Sequence, residues 1–207
     1  MDIGRYLKIR RWELRLKEII ILASGNGTNF EAICNYFSDP KKNVKVKLLI
    51  TDNKEAFVIK RSQKLGIDCW VIDYHSCKSR EEYNKKLFAL LKSLDFDLIV
   101  LAGYMRILPD YIVKYYEKRI VNIHPSLLPN YKGLNAIERS FNNRESYGGI
   151  TIHYVDEGVD TGEIIFQKNL KILKDWTLEK YEENIHKLEH QYYPQVIEKI
   201  LKSISGI

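Results

Sequence analysis

Short apolar runs alternate with helical patterns along this chain, and this alternation constrains its fold more than any other feature. The first run, Ile19–Ala23, is rich in β-branched residues and ends at Ser24 and Gly25, as expected for a buried strand. Further strands are predicted over 44–51, 68–72, 97–102 and 119–124. Helices are predicted over 28–36, over 54–65, from a Ser79 cap to about Leu94, and briefly after Pro109. Such alternation is typical of βαβ units, so five parallel strands are expected.

The alternation of predicted strands and helices ends after Tyr147. Residues 149–155 alternate like an antiparallel strand, 163–170 follow as its hairpin partner, and 178–203 have the pattern of a long helix. We therefore expect an α/β, Rossmann-like fold. It has a mostly parallel central sheet with helices on both faces, then a C-terminal antiparallel strand pair and a long helix. Residues 18–207 are expected to form a single domain, preceded by a basic N-terminal extension over 1–17.

The composition of the chain narrows its class. With 207 residues, 45% hydrophobic and 29% charged, it is typical of a soluble globular domain. Three cysteines without a CxxC pair indicate reduced thiols and a cytoplasmic protein. No apolar stretch approaches the roughly 18 residues that span a bilayer, so no membrane association is expected. The net charge of +6 favours anionic ligands. The basic residues are spread along the chain without a compact patch, so no nucleic-acid partner is expected.

A glycine-containing loop, Ser24–Asn29, connects the first predicted strand to the first helix. Free amides and the helix dipole at that position favour an anion, and the glycines let a phosphate approach the backbone closely. The loop lacks both the lysine of a Walker A motif and the third glycine of a dinucleotide fingerprint. It therefore predicts a site for a single phosphate, with an ordinary tight turn as the alternative.

Two polar, uncharged side chains end the fifth predicted strand. Asn122 and His124 are two residues apart and share one face of an extended segment. Pro125 then forces the chain out of the sheet, at the edge where open α/β sheets bind ligands. The structural alternatives are a turn-capping asparagine and a core histidine.

Asp160 is the third polar candidate, in the glycine-punctuated loop 156–162 between the two late strands. A turn aspartate bonded to its own backbone is its structural alternative. A carboxylate beside an imidazole fixes the tautomer of the ring and favours its protonated form. Amide, imidazole and carboxylate together suit the tetrahedral oxyanion of acyl or formyl transfer.

The sequence lacks the motifs that are typical of covalent catalysis and of metal binding. The sequence contains no GxSxG or HExxH, and its five histidines show no metal-ligand spacing supported by cysteines. His186 and His190 lie four residues apart on the last predicted helix but have no third ligand beside them. Covalent catalysis is therefore disfavoured, and no metal is expected.

Four segments, in this order and at these separations, resemble the phosphoribosylglycinamide formyltransferase family. They are Gly25–Asn29, Met105–Leu108, Asn122–Pro129 and Asp160–Gly162, and the likeness runs from about Ile19 to about Ile200. The resemblance implies transfer of the formyl group of 10-formyltetrahydrofolate to the amine of glycinamide ribonucleotide, in de novo purine (IMP) biosynthesis and without a metal. It implies small-molecule partners and a monomer or homodimer.

The resemblance also implies roles for particular residues. The catalytic residues are expected to be Asn122, His124 and Asp160. The ribonucleotide phosphate is expected on Gly27, Thr28 and Asn29. The folate is expected on Arg80, Met105, Arg106, Ile107 and Leu108. Glu189 is expected to contact the ribonucleotide, and His186 and Lys187 are alternatives for the position of a substrate-contacting lysine. The Leu128–Pro129 bond is expected to be cis.

Two related formyl-handling families share an Asn-x-His-Pro segment with a later aspartate. Methionyl-tRNA formyltransferase resembles this chain only with an added C-terminal RNA-binding domain, and formyltetrahydrofolate deformylase carries an N-terminal regulatory domain. Neither is expected at this length. A deformylase also needs no phosphate loop, which Gly25–Asn29 supplies. Lys132 departs from the family pattern, because many members have a second proline there.

Overall fold

The computed structural model describes residues 15–204, and these form a seven-stranded sheet flanked by helices. The strands are β1 (Lys17–Leu22), β2 (Val44–Thr51), β3 (Cys69–Val71), β4 (Leu98–Leu101), β5 (Ile120–His124), β6 (Tyr147–Tyr154) and β7 (Ile164–Lys171). The helices are α1 (Thr28–Phe37), α2 (Val58–Leu65), α3 (Arg80–Lys92), α4 (Asp110–Tyr115), α5 (Ala136–Asn142) and α6 (Leu178–Ile204). Single 3₁₀ turns cover Pro40–Lys42 and Tyr74–Ser76.

The strands lie in the order β3-β2-β1-β4-β5-β6-β7. The five from β1 to β5 are parallel, and β6 and β7 continue the sheet in antiparallel pairing. Alternate residues of β1 enter two separate cores, one packed against α1 and α6 and the other against α3 and α4. The predicted α/β architecture is confirmed, including five parallel strands, the late antiparallel pair and the long last helix.

Two helices differ from the sequence prediction. The predicted helix over 54–65 begins only at Val58, because Asn53 forms a turn that accepts from the Glu55 and Ala56 amides, through its side chain and its carbonyl respectively. Helix α5 was not predicted at all. It is short, and it starts after Asn135, which has a positive φ of 56°. The start of α2 and the short helix α5 have no strong periodic signal in the sequence, because local side-chain hydrogen bonds and backbone turns determine both.

The predicted basic extension over 1–17 lies largely outside the described residues, so it stays a prediction. Lys17 itself is the first residue of β1. Within residues 15–204, no helix combines the length and apolarity that crossing a bilayer requires.

Candidate active site

A cavity of about 670 Å³ opens at the carboxyl edge of the sheet, where β1, β4 and β5 end. This size is within the range of small-molecule sites, roughly 300–1,000 Å³. Its walls are the loops that follow those three strands, together with parts of 133–136, 153–160 and α6. With the exception of Arg80, every residue of the predicted catalytic, phosphate, folate and ribonucleotide sets lines this cavity, and of the alternatives His186 and Lys187 only His186 does.

The glycine loop forms one end of the cavity. The backbone of Gly27 adopts the left-handed conformation, with a φ of 79°. A Cβ built on this residue would lie 2.3 Å from Cγ2 of Val58. Glycine is therefore required there both by the backbone and by the space available. Arg61 fixes the loop by donating from Nε and Nη2 to the carbonyl and side-chain oxygens of Asn26, at 2.8 and 2.7 Å.

Helix α1 begins directly after Gly27 without a side-chain cap. The first amides of a helix have no partner within it. Those of Thr28 and Asn29, which line the cavity, also donate to no other group in the part of the chain that the structure describes, so they are available to a ligand. The helix dipole adds positive potential at the same place. This geometry supports the predicted anion site.

The three predicted catalytic residues meet at the centre of the cavity. Asn122 and His124 come from β5, and Asp160 from the loop between β6 and β7. Nδ1 of His124 lies 3.3 Å from Oδ2 of Asp160, and Nδ2 of Asn122 lies 3.5 Å from Oδ1 of the same carboxylate. Side chains separated by about 36 residues along the chain are thus within direct reach of one another.

His153 is a fourth member of this cluster that the sequence analysis missed. It lies opposite Asn122 in the antiparallel β5–β6 pair. Its Nε2 is 3.3 Å from Nδ2 of Asn122 and 3.5 Å from Oδ1 of Asp160, while its Nδ1 lies 2.8 Å from the Tyr154 carbonyl. The only signal for it in the sequence was its place in a predicted strand, because the pairing with β5 was not foreseen.

Asp160 is held as a carboxylate by its surroundings. Burial alone would raise its pKa, but hydrogen bonds from His153 and from the Gly133 amide, together with the charge of His124, lower the pKa overall. The Gly133 amide donates to Oδ2 at 2.8 Å. Asp160 also has a positive φ of 52°, so its loop is bent to bring the carboxylate to the two rings.

Both nitrogens of His124 face acceptors. Nε2 lies 2.8 Å from the carbonyl oxygen of Tyr131, and Nδ1 faces Asp160. The ring satisfies both acceptors only when both nitrogens carry a proton. The distance of 3.3 Å from Nδ1 to Oδ2 of Asp160 is longer than the roughly 2.7–2.9 Å of a strong charge-assisted hydrogen bond, so the interaction between Nδ1 and Asp160 is weak.

The segment 103–108 forms the apolar wall of the cavity. Leu108 is buried, whereas Met105 and Ile107 expose 62% and 54% of their surface. Ser24 accepts from the Met105 amide at 2.8 Å. Arg80 lies behind this wall and donates to the Ile107 carbonyl at 3.1 Å. Its predicted contact with folate remains a prediction, and in this structure the side chain supports the wall from outside.

Helix α6 closes the cavity beside the glycine loop. Glu189 is 4% exposed, and its Oε2 accepts from Asn29 at 3.0 Å and from His186 at 2.9 Å. His186 lines the cavity, whereas Lys187 bonds Glu183 on the exposed side of the helix. The bond to Glu189 raises the pKa of His186, although burial opposes it. Of the two alternatives, His186 faces the cavity and Lys187 does not, and its contact with a substrate stays a prediction.

The Leu128–Pro129 bond is cis, as predicted. Within residues 15–204, no three His, Cys, Asp or Glu side chains are grouped so that they could hold a metal ion.

An uncapped helix start that shares one cavity with an amide, imidazoles and a carboxylate defines a site suited to acyl or formyl transfer. Residues 17–197 match the formyl transferase family, and the chain belongs to that family. It is 40% identical to phosphoribosylglycinamide formyltransferase from Bacillus subtilis (strain 168), over 90% of this chain and 95% of that protein.

Two further comparisons agree with this family assignment. The chain is 38% identical to the trifunctional purine biosynthetic protein adenosine-3 of Drosophila melanogaster, over 93% of this chain and 14% of that longer protein. The crystal structure of phosphoribosylglycinamide formyltransferase from Bacillus halodurans matches with a TM-score of 0.85 and 43% identity, over 89% of this chain and 95% of that one. The predicted formyltransferase fold and enzyme class are confirmed.

Proposed function

We propose that this protein transfers the formyl group of 10-formyltetrahydrofolate to the amine of glycinamide ribonucleotide, giving N-formylglycinamide ribonucleotide and tetrahydrofolate. The observation that carries the proposal is the meeting of Asn122, His124 and Asp160 in the cavity that also holds the uncapped start of α1. The printed names of the bacterial relatives support the choice of acceptor.

The ribonucleotide fits the α1 end of the cavity. Its phosphate would accept from the free amides that follow Gly27. The buried Glu189 carboxylate is suited to the ribose hydroxyls, because a carboxylate accepts from such donors. Protonated His186 would add positive charge near the phosphate.

The folate fits the opposite wall. Met105 and Ile107 offer exposed apolar surface for a flat ring. Both ligands then meet at the carboxyl end of β5, where Asn122 and His124 lie. The residues that line the cavity therefore suit a transfer between two substrates bound side by side.

The transfer step follows from these positions. The amine nitrogen attacks the formyl carbon, and the C=O electron pair moves to oxygen. This pair then returns to re-form the C=O bond, while the bond from that carbon to N10 of the folate breaks and its electron pair stays on N10. One proton leaves the amine nitrogen and one reaches N10, so the products carry no extra charge. Asp160 would orient the His124 ring through Nδ1 and would also orient a water that relays this proton.

The developing oxyanion needs preorganised donors. The Nδ2 group of Asn122 and the Nδ1 of His124 lie 3.5 and 3.3 Å from Asp160, longer than a strong charge-assisted bond, so both would be available to donate to the oxyanion. One such donor is typically worth about 3–4 kcal/mol in the barrier.

A formyl-transfer assay with 10-formyltetrahydrofolate and glycinamide ribonucleotide tests the proposal. We expect folate release that depends on the ribonucleotide. Equal release without the acceptor would instead indicate hydrolysis and contradict the proposal.

The Asp160→Asn variant tests the catalytic assignment. We expect kcat to fall by about a hundredfold or more, because the proton relay and the orientation of the His124 ring both depend on this carboxylate. The KM for ribonucleotide should change by no more than about threefold. Asp156→Asn is the matched control in the same loop, since Asp156 bonds Gly158 and Thr161 instead of the imidazoles. Equal losses in kcat and in ribonucleotide binding would remove Asp160 from the chemical step.

A further inference from the structure

A carboxylate outside the catalytic cluster is buried at the same edge of the sheet. Asp52 directly follows β2 and is 1% exposed. Its Oδ2 accepts from Nε of Arg106 at 2.6 Å, whereas its Oδ1 is buried and has no hydrogen-bond partner in the described part of the chain. A buried carboxylate that is satisfied on one side only is unfavourable for folding. Stability alone therefore does not explain Asp52.

The partner of Asp52 is held on two sides. The Arg106 guanidinium lies over the ring of Tyr74, with Cζ 3.9 Å from the ring centroid. The Tyr74 amide in turn donates to the Asp52 carbonyl at 2.8 Å. This backbone hydrogen bond holds the Tyr74 ring and the Asp52 carboxylate in a fixed position relative to each other. Stacking and a charge-assisted bond together restrict Arg106 to one orientation.

The outer face of Arg106 is left available. The side chain is 32% exposed and lines the cavity. Across residues 15–204, only Nε is engaged in a hydrogen bond, and Nη1 and Nη2 have no partner. The two terminal nitrogens of a guanidinium form a planar fork that matches a carboxylate.

We propose that Asp52 is a positioning residue for the co-substrate: with Tyr74 it fixes Arg106, so that the free Nη atoms bind a carboxylate of the glutamate tail of 10-formyltetrahydrofolate. This inference rests on the proposed function for the identity of the ligand. Arg106 belongs to the apolar wall assigned to the folate, while the phosphate of the ribonucleotide has its own donors at α1. Of the two substrates, the folate is the one that carries carboxylates.

Asp52 would act by lowering the cost of ordering Arg106 when the ligand arrives. An arginine free to rotate loses side-chain entropy on binding, whereas one already fixed loses little. Removing the Asp52 charge is therefore expected to weaken folate binding and to leave the chemical step unchanged.

The test uses Asp52→Asn and two stable co-substrate analogues, 10-formyl-5,8-dideazafolate and its counterpart without the glutamate. Calorimetry gives the Kd of each, and steady-state assays give kcat and KM. We expect the Kd and KM of the glutamate-bearing analogue to rise about tenfold, with kcat and the ribonucleotide KM within about twofold. The analogue without glutamate should bind wild type and variant equally.

Asp73→Asn is the matched control, because Asp73 is a mostly buried aspartate of the neighbouring turn that pairs with exposed Lys54. It should leave both Kd values unchanged. If Asp52→Asn does not fold, Tyr74→Leu removes the stacked ring without stranding a charge, and the same selective loss is expected.

Three results would overturn the inference: an unchanged Kd, an equal loss for both analogues, or a loss shifted to the ribonucleotide. Calorimetry reports on Asp52 even if no formyl transfer occurs, so failure of the proposed function remains a separate result.

Discussion

Three buried or largely buried carboxylates at the carboxyl edge of the sheet are each held by a different kind of donor. Asp160 faces two imidazoles and an amide, Asp52 faces one guanidinium, and Glu189 faces an asparagine amide and an imidazole. The donor decides what each carboxylate can do. An imidazole partner couples it to protons at neutral pH, whereas a guanidinium partner fixes only geometry.

His186 gives a pH-dependent prediction at this scale. Its pKa lies above the ordinary 6.5 because of the bond to Glu189, with Glu182 adding to the shift. A raised histidine pKa stabilises the fold fully below the unfolded pKa, and this contribution is lost as pH rises through the folded pKa. His186→Gln should therefore be less stable than wild type below about pH 6.5, and the difference should shrink at higher pH.

Urea unfolding between pH 5.5 and 9 measures this difference. Lys187→Gln is the control on the same helix, because the pKa of its partner Glu183 is lowered to about 2 and that carboxylate therefore stays ionised throughout the window. A difference for His186→Gln that grows with pH would contradict the assignment.

At the scale of elements, the start of α1 depends on the packing of α2 against it. The Val58 side chain fills the space where a Cβ of residue 27 would be, and the Val58 amide donates to the Gly25 carbonyl. The phosphate loop is thus shaped by a helix about 30 residues later in the chain.

Gly27→Ala is expected to destabilise the protein by about 2–4 kcal/mol, through left-handed strain and the clash with Val58. Gly25→Ala is the matched control, since a Cβ there meets nothing within 4 Å, and its unfolding free energy should match that of wild type. Urea denaturation with both variants checks this. Equal stability of the two variants would contradict both the left-handed strain and the clash with Val58.

At the scale of the whole molecule, α6 is bonded to two adjacent central strands of the sheet. The Tyr193 hydroxyl, fully buried, lies 2.9 Å from the Leu101 carbonyl and 3.1 Å from the Val121 carbonyl. It therefore ties the last helix to β4 and β5, immediately beneath Asn122 and the catalytic cluster.

Tyr193→Phe should lower the unfolding free energy by about 1–3 kcal/mol, because buried acceptors lose their donor. Tyr192→Phe on the same helix is the control, since Tyr192 stacks on Phe166 through its ring and that contact survives the change. Chemical denaturation of both variants measures the effect. A loss in Tyr192→Phe as large as that in Tyr193→Phe would refute the bridging role.

The sequence alone determined the α/β class, the places of the seven strands and the positions of Asn122 and His124. These follow from local periodicity, turn residues and the backbone limits of Pro125, which act over a few residues. The loop pattern of residues 156–162 also indicated Asp160 as a candidate, and the family resemblance implied its role and added the folate wall.

Only the tertiary structure decided which groups surround those residues. His153 reaches Asp160 through the β5–β6 register, the Gly133 amide and the Tyr131 carbonyl arrive from the loop after β5, and Asp52 meets Arg106 across 54 residues of chain. Contacts of this kind depend on strand pairing and packing between distant segments, for which a single sequence holds no local signal.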